Sequence, residues 1–211
     1  MWPPLRTGLF ECRTYLACME TVYVATGNNG KYREMKPVFE DQNLDLVQID
    51  ADAPEIDAWD VEKVAERKLR DSRRVALEKG LVSEEDTVIV EDTGLYIEAL
   101  DGFPGAESAF FARTAGVEKL ISLLRDESDR SAYFRTAIGA FMEGDIKVFT
   151  GELHGRIPGS GRGDPHDSLP YNRFFVPEFS DETLAENPGL KEKEFHRRKA
   201  VKKFIDAYAE D

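Results

Sequence analysis

A chain of 211 residues with 41% hydrophobic content can enclose a substantial core, as one large domain or two small lobes. Its 28 Lys and Arg against 41 Asp and Glu leave a net charge of −13, which repels nucleic acid unless the basic residues cluster. No apolar run approaches the roughly 20 residues of a bilayer span, so a soluble protein with no membrane partner is expected.

The first 18 residues show no period and lack both the apolar stretch and the small-residue cleavage site of a signal peptide. They read as a disordered extension, or as a start placed upstream of Met19. Cys12 and Cys18 are the only cysteines, stand at no metal spacing, and fit a reduced, cytoplasmic compartment. Thr21 to Ala25 predicts a strand, Thr26 to Gly30 a turn, and Lys31 to Asp41 a helix. Leu44 to Ile49 alternates as a second strand. An acidic, Pro-containing loop, Ala51 to Asp60, precedes Val61 to Leu77, whose apolar residues follow a helical period.

Thr87 to Val90 predicts a short buried strand that delivers Glu91 and Asp92 at its end and breaks at Thr93 and Gly94. A Gly-Pro turn follows at Gly102 to Gly105, then a short helix from Val117 to Leu124. Ala132 to Met142 and Ile146 to Ile157 read as a hairpin joined at Glu143, Gly144 and Asp145. Arg156 to Pro170 is a loop, Asp181 to Glu186 a short helix stopped by Pro188 and Gly189. The last helix places Ala200, Val201, Phe204, Ile205 and Tyr208 on one face. Alternating strands and helices without repeats make the fold α/β.

Three places carry chemistry. Adjacent carboxylates at a strand end, Glu91 and Asp92, suit Mg²⁺, which takes one or two carboxylates together with substrate phosphates. A solvated turn is the plain alternative. Thr26 to Lys31 sits at a strand-to-helix junction, where Gly27 and Gly30 admit an anion to the backbone and Lys31 adds a cation. It matches neither common phosphate-loop spacing, and an ordinary Asn-Gly turn explains it as well. Lys191 to Lys203 gathers seven of the 28 basic residues, with His196 and Arg197 directed inward at the start of the last helix. Either an anion is expected there or the face is solvated, with Glu192 and Glu194 complementing it. His154 and His166 have no partner at metal spacing and read as surface residues. Glu55, after Pro54, is one acid among several that could complete a metal site with Asp92.

Taken together, ATGNNGK at Ala25 to Lys31, PEI at Pro54 to Ile56 and EDTGLYIEALDGFPGAES at Glu91 to Ser108 resemble the inosine triphosphate pyrophosphatase, or Ham1-like, family. AYFRTAIGAF at Ala132 to Phe141, GELHGRI at Gly151 to Ile157, TLAE at Thr183 to Glu186 and HRRKAVKKF at His196 to Phe204 extend the match. It is similar above all to archaeal members. The resemblance implies an elongated mixed sheet flanked by helices, with residues 19–211 forming one domain of two lobes and a cleft between them. It also implies a Mg²⁺-dependent homodimer that cleaves non-canonical purine nucleoside triphosphates to monophosphate and pyrophosphate. Carried over by position, Asp92 and Lys31 would be catalytic, and Glu55 with Asp92 would bind the metal. Thr26, Gly27, Asn28, Asn29, Gly30, Lys31, Arg67, Thr93, Tyr171, Asn172, Lys191, His196 and Arg197 would contact substrate.

Arg67 stands where the family has a phosphate-binding lysine. The base-reading loop departs further. Ser168 to Phe175 reads SLPYNRFF, in which Tyr171 keeps a stacking aromatic, Asn172 replaces an aspartate, Pro170 a glycine and Arg173 a proline. Phe195 replaces a serine before His196. These changes imply cleavage with shifted base preference. A nucleotide binder without turnover and a structural α/β module are the competing readings.

Overall fold

The computed structural model describes residues 19–51, 58–142, 144–164, 169–192 and 195–210. In chain order they form β1 (Glu20–Ala25), α1 (Asn29–Glu40), β2 (Leu44–Ile49), α2 (Val61–Glu78), β3 (Thr87–Ile97) and β4 (Pro104–Gly105). Then follow α3 (Ser108–Thr114), α4 (Glu118–Leu123), β5 (Ser131–Met142), β6 (Asp145–Arg156), β7 (Val176–Pro177) and α5 (His196–Tyr208). The strands make one mixed sheet in the order β2-β1-β3-β5-β6-β7, with β4 paired to β3. β2, β1 and β3 run parallel, while β5 returns antiparallel to β3 and β6 antiparallel to β5.

The alternation of side chains across a strand assigns the two faces. Val22, Val24, Ile89 and Ile138 bury against Met35, Val38 and Phe39 of α1 and Ala200, Val201, Phe204 and Ile205 of α5. Val88, Val90 and Ala137 point the other way, onto Ala65, Leu69 and Ala76 of α2. Further along the sheet Leu95, Ile97 and Phe134 meet Leu120 of α4 and Tyr171, Phe174 and Phe175.

The α/β reading and the main strands stand, but β3 corrects the sequence reading. It does not break after Val90. It continues through Glu91, Asp92, Thr93 and Gly94 to Ile97, paired throughout with β5. Polar residues persist in the strand because tertiary partners satisfy them, and Gly94 is needed there since a Cβ would lie 2.7 Å from the Gly105 carbonyl oxygen. Asp181 to Glu186 is a turn rather than a helix, closed by Thr183 and Glu186 through reciprocal hydrogen bonds of 2.8 and 3.1 Å. The short α3 carries no 3.6-residue apolar period and went unforeseen. Residues 1–18, Glu143 of the hairpin turn, and His166 lie outside the described residues.

α5 lies directly on β6 at Gly151, where an added Cβ would sit 2.2 Å from the His196 carbonyl oxygen and 2.6 Å from the Ala200 nitrogen. Gly151→Ala should therefore lift the first turn of α5 and cost about 1–3 kcal/mol, as overpacking does. Urea unfolding should show a lowered midpoint with an unchanged slope; a wild-type midpoint would show that the helix is not held there.

Candidate active site

Two neighbouring carboxylates of β3 serve opposite faces of the sheet. Glu91 shares a face with Ile89 and points at α1 and α5; Asp92 points to the α2 side. The Glu91 side chain is wholly enclosed, with Lys31 Nζ at 2.7 Å and Arg197 Nε at 2.9 Å. Burial opposes its ionisation, but Lys31 and Arg197 outweigh that and hold the carboxyl well below the usual carboxylate range. Arg197 also donates to Glu34 of α1 and, at 3.2 Å, to Thr93. Glu34 takes a second cation, Lys191, at 2.8 Å. Burial works against the guanidinium of Arg197, but Glu91 and Glu34 raise its affinity for the proton.

His196 is buried beside this network. Its Nδ1 lies 2.6 Å from Thr136 Oγ1, which lies 2.5 Å from Thr93 Oγ1, and Thr93 donates to Glu91. The ring stacks on Phe134 at 5.0 Å and touches Phe195 at 4.0 Å. Burial first, and the charge of Arg197 next, push the imidazole far below its ordinary value, so it is neutral.

Asp92 is the less enclosed member of the pair. Lys31 Nζ is 3.9 Å from it, and Lys68 of α2 favours its charged form from the other side. Burial nonetheless raises its carboxyl above the ordinary range. Its Oδ2 is buried and has no partner among the described residues. A buried carboxylate oxygen without a hydrogen-bond partner fits a hard divalent cation, which would restore the ionised form. Among the described residues no three His, Cys, Asp or Glu side chains converge on one point. Glu55, the other expected ligand, lies outside the described residues.

The structure brings together Lys31, Asp92, Thr93, Lys191, His196 and Arg197. The turn before α1 is built around Asn28, whose Oδ1 accepts from Gly30 N at 2.9 Å and Lys31 N at 3.2 Å. Asn28 N in turn donates to Thr26 Oγ1 at 3.2 Å, and Gln48 Nε2 donates to the Thr26 carbonyl at 2.7 Å. Asn28 is thus the helix cap, and the turn aims Lys31 at β3. Gly27, Asn29 and Gly30 complete that turn.

Arg67 is not brought to the site. It is exposed on α2 with Lys63, Glu66, Arg70 and Asp71, and Lys68, one residue on, faces Asp92 instead. Helical phase decides between neighbours 100° apart, and sequence alone does not fix it. Tyr171 is only 9% exposed; its ring packs edge-on to Phe134 and its hydroxyl donates to the Ser108 carbonyl at 2.6 Å. It is core, not an open stacking platform. Asn172 is also buried, its carbonyl accepting from Ala185 N at 3.1 Å.

Most of the basic C-terminal cluster holds α5 in place. Arg198 binds Asp41 at 3.0 Å, and Lys199 and Lys203 donate to the carbonyls of Glu152 and Thr150. His154 is exposed and pairs with Glu152 at 2.9 Å. Glu34 and Thr136 were not singled out from the sequence, Lys68 reads there only as part of a charged helix edge with Arg67, and Glu91 only as one of an acid pair. Glu34 lies three residues after Lys31, hence on the same helix face, which was the available signal.

The Ham1 family model matches residues 22–207. The chain belongs to the Ham1 family. It is 39% identical over 190 residues to the dITP/XTP pyrophosphatase of Methanopyrus kandleri, covering 89% of this chain and 95% of that one. The dITP/XTP pyrophosphatase of Pyrococcus horikoshii is 35% identical over 187 residues, covering 88% and 95%. Among solved structures, the Staphylococcus aureus Ham1 protein superposes with a TM-score of 0.72 at 28% identity, over 90% of this chain and 98% of that one. A HAM1 protein from Coxiella burnetii gives 0.74 at 24% identity over 92% and 100%, which supports the fold.

Two consequences are measurable. Glu91→Gln removes the carboxylate shared by Lys31 and the buried Arg197, which keeps only Glu34, and should cost about 3–5 kcal/mol in denaturant unfolding. A loss below 1 kcal/mol would mean the network relaxes freely. For His196, the depressed value means the unfolded chain takes up a proton that the folded chain refuses. Stability from this group is therefore complete above about 6.5, the ordinary imidazole value, and declines as pH falls below it. His196→Gln should flatten the fall in unfolding midpoint between pH 7 and pH 5; the difference from wild type isolates this residue from the carboxylates.

Proposed function

We propose that this chain hydrolyses non-canonical purine nucleoside triphosphates, such as ITP, dITP and XTP, to monophosphate and pyrophosphate. Its relatives' activity, close to full-length similarity and an acid flanked by lysines support this reading. The observation that carries it is the unpartnered Oδ2 of Asp92, a residue whose Oδ1 lies 3.9 Å from Lys31 Nζ.

Phosphoryl chemistry needs positioning and charge neutralisation more than covalent help from the protein. Lys31 and Lys68 supply fixed positive charge for the triphosphate on either side of Asp92. The turn from Thr26 to Lys31 supports the phosphate chain, with Asn28 fixing its shape. Asp92 orients the attacking water and takes its proton, its unpartnered Oδ2 being the acceptor. Asp92 would hold Mg²⁺, with Glu55 the further ligand that the family resemblance implies, and the ion would supply neutralisation of phosphate charge. Arg197, Lys191 and His196 close the base side, and Thr93 joins these groups through Arg197. The nucleotide would lie between two lobes of one domain. The same reading makes the enzyme a cytoplasmic homodimer acting on free nucleotides, with no nucleic-acid partner. No described helix is long and apolar enough to cross a membrane.

Asn172 and the enclosed Tyr171 favour a shifted base preference over an unaltered one. Pyrophosphate release with Mg²⁺ should be found for inosine and xanthosine triphosphates and extend to GTP, with ATP cleaved more slowly; strict exclusion of GTP would mean the preference is unaltered. Asp92→Asn should lower the rate at least ~100-fold while the melting temperature holds. Full activity in that variant would remove Asp92 from the reaction. Nucleotide retained by the wild type without pyrophosphate release would make the chain a binder. Asn172→Asp should sharpen the preference for ITP over GTP, and an unchanged ratio would clear this residue of base reading.

A further inference from the structure

The hydrogen bonds around His196 have a direction that can be followed atom by atom. Glu91, held between Lys31 and Arg197, is an acceptor, so the single hydroxyl proton of Thr93 points to it. Thr93 Oγ1 must then accept in its 2.5 Å contact with Thr136, which spends the one Thr136 proton. Thr136 Oγ1 can in turn only accept in its 2.6 Å contact with His196, so Nδ1 carries the hydrogen. His196 is buried against Phe134 and Phe195, next to the positive Arg197, and carries no second proton. Nε2 is left as the ring's lone-pair nitrogen.

The structure assigns Glu91, Thr93 and Thr136 as a relay of positioning residues that locks His196 in its Nδ1–H tautomer and presents Nε2 as a pure acceptor. A pure acceptor repels deprotonated phosphoryl oxygens and complements an N–H donor. A 6-oxopurine has such a donor at ring nitrogen 1, where adenine offers an acceptor instead. On the pyrophosphohydrolase reading, which already puts this residue at the base, the fixed tautomer is the means by which His196 would prefer a 6-oxopurine to adenine. This base-side step rests on the pyrophosphohydrolase reading; the proton assignment does not.

The test is long-range ¹H–¹⁵N NMR of the histidine rings at neutral pH, in wild type, Thr136→Val and Thr136→Ser. The expected result is a protonated Nδ1 and unprotonated Nε2 in wild type and in the serine variant, and loss of that single tautomer in the valine variant. An Nε2–H ring in wild type, or a valine variant with an unchanged ring, overturns the relay. In parallel, the ratio of kcat/KM for ITP over ATP should fall about tenfold in Thr136→Val, the worth of one hydrogen bond, and recover in Thr136→Ser. A changed tautomer with an unchanged ratio overturns base reading by His196. The predicted tautomer in a protein that cleaves neither nucleotide supports the relay and overturns the enzymatic reading.

Discussion

The arrangement depends on one buried carboxylate. Glu91 is fully enclosed on the central strand, and its charge is tolerated only because Lys31 from the first helix and Arg197 from the last reach it together. A lone carboxylate there would be several kcal/mol out of balance. The requirement works in both directions: α1 and α5, far apart in sequence, must meet over β3 to satisfy it. Glu34 extends the pattern by binding Arg197 and Lys191, so positive and negative groups alternate from Lys31 to Lys191. The site is thereby assembled by the same contacts that close the fold, and few of its members can be changed without loss of stability.

Beside that fixed charge stands a free one. Asp92 follows Glu91 by one residue, yet strand pleating sends it to the opposite face, where it has lysines in range and an oxygen without a partner. The two acids are therefore not a pair sharing one task. One is the counter-ion that fixes two cations and the tautomer of an imidazole; the other is open to ligand and proton. A longer strand through these residues is what makes the division possible. Had β3 ended at Val90, both carboxylates would have lain on a solvated turn with no enforced difference between them.

This also explains how far the sequence could be read. β1, β2, α2 and the β5–β6 hairpin are legible because burial on one face leaves a period in the apolar residues. β3 beyond Val90 is not, since its inward positions are polar and are satisfied by residues more than a hundred positions away, as with Arg197. The motif around Asn28 was readable as a turn, and its cap geometry confirms that plain reading alongside the placement of Lys31. Arg67 and Lys68 show the limit in a helix: both are basic, and only packing of Ala65 and Leu69 against the sheet decides which faces inward. Tyr171 shows the same limit in a loop, where an aromatic equally suits a ligand and a core, and the hydrogen bond to Ser108 decides for the core.

The altered base loop is more rigid than its loop character suggests. Phe175 O accepts from Leu184 N at 3.2 Å, Arg173 O from Arg162 N at 3.0 Å, and Asn172 O from Ala185 N at 3.1 Å. Thr183 donates to the Arg162 carbonyl at 3.3 Å, tying these three segments to one another. Gly161 and Gly163 allow the close fit, since a Cβ would meet the Phe174 ring at 2.6 Å in the one case and the Ala185 backbone at 2.6 Å in the other. A segment pinned in this way holds its polar groups in fixed positions. On the proposed function, a change such as Asn172 would therefore act through donor and acceptor identity and not through greater freedom.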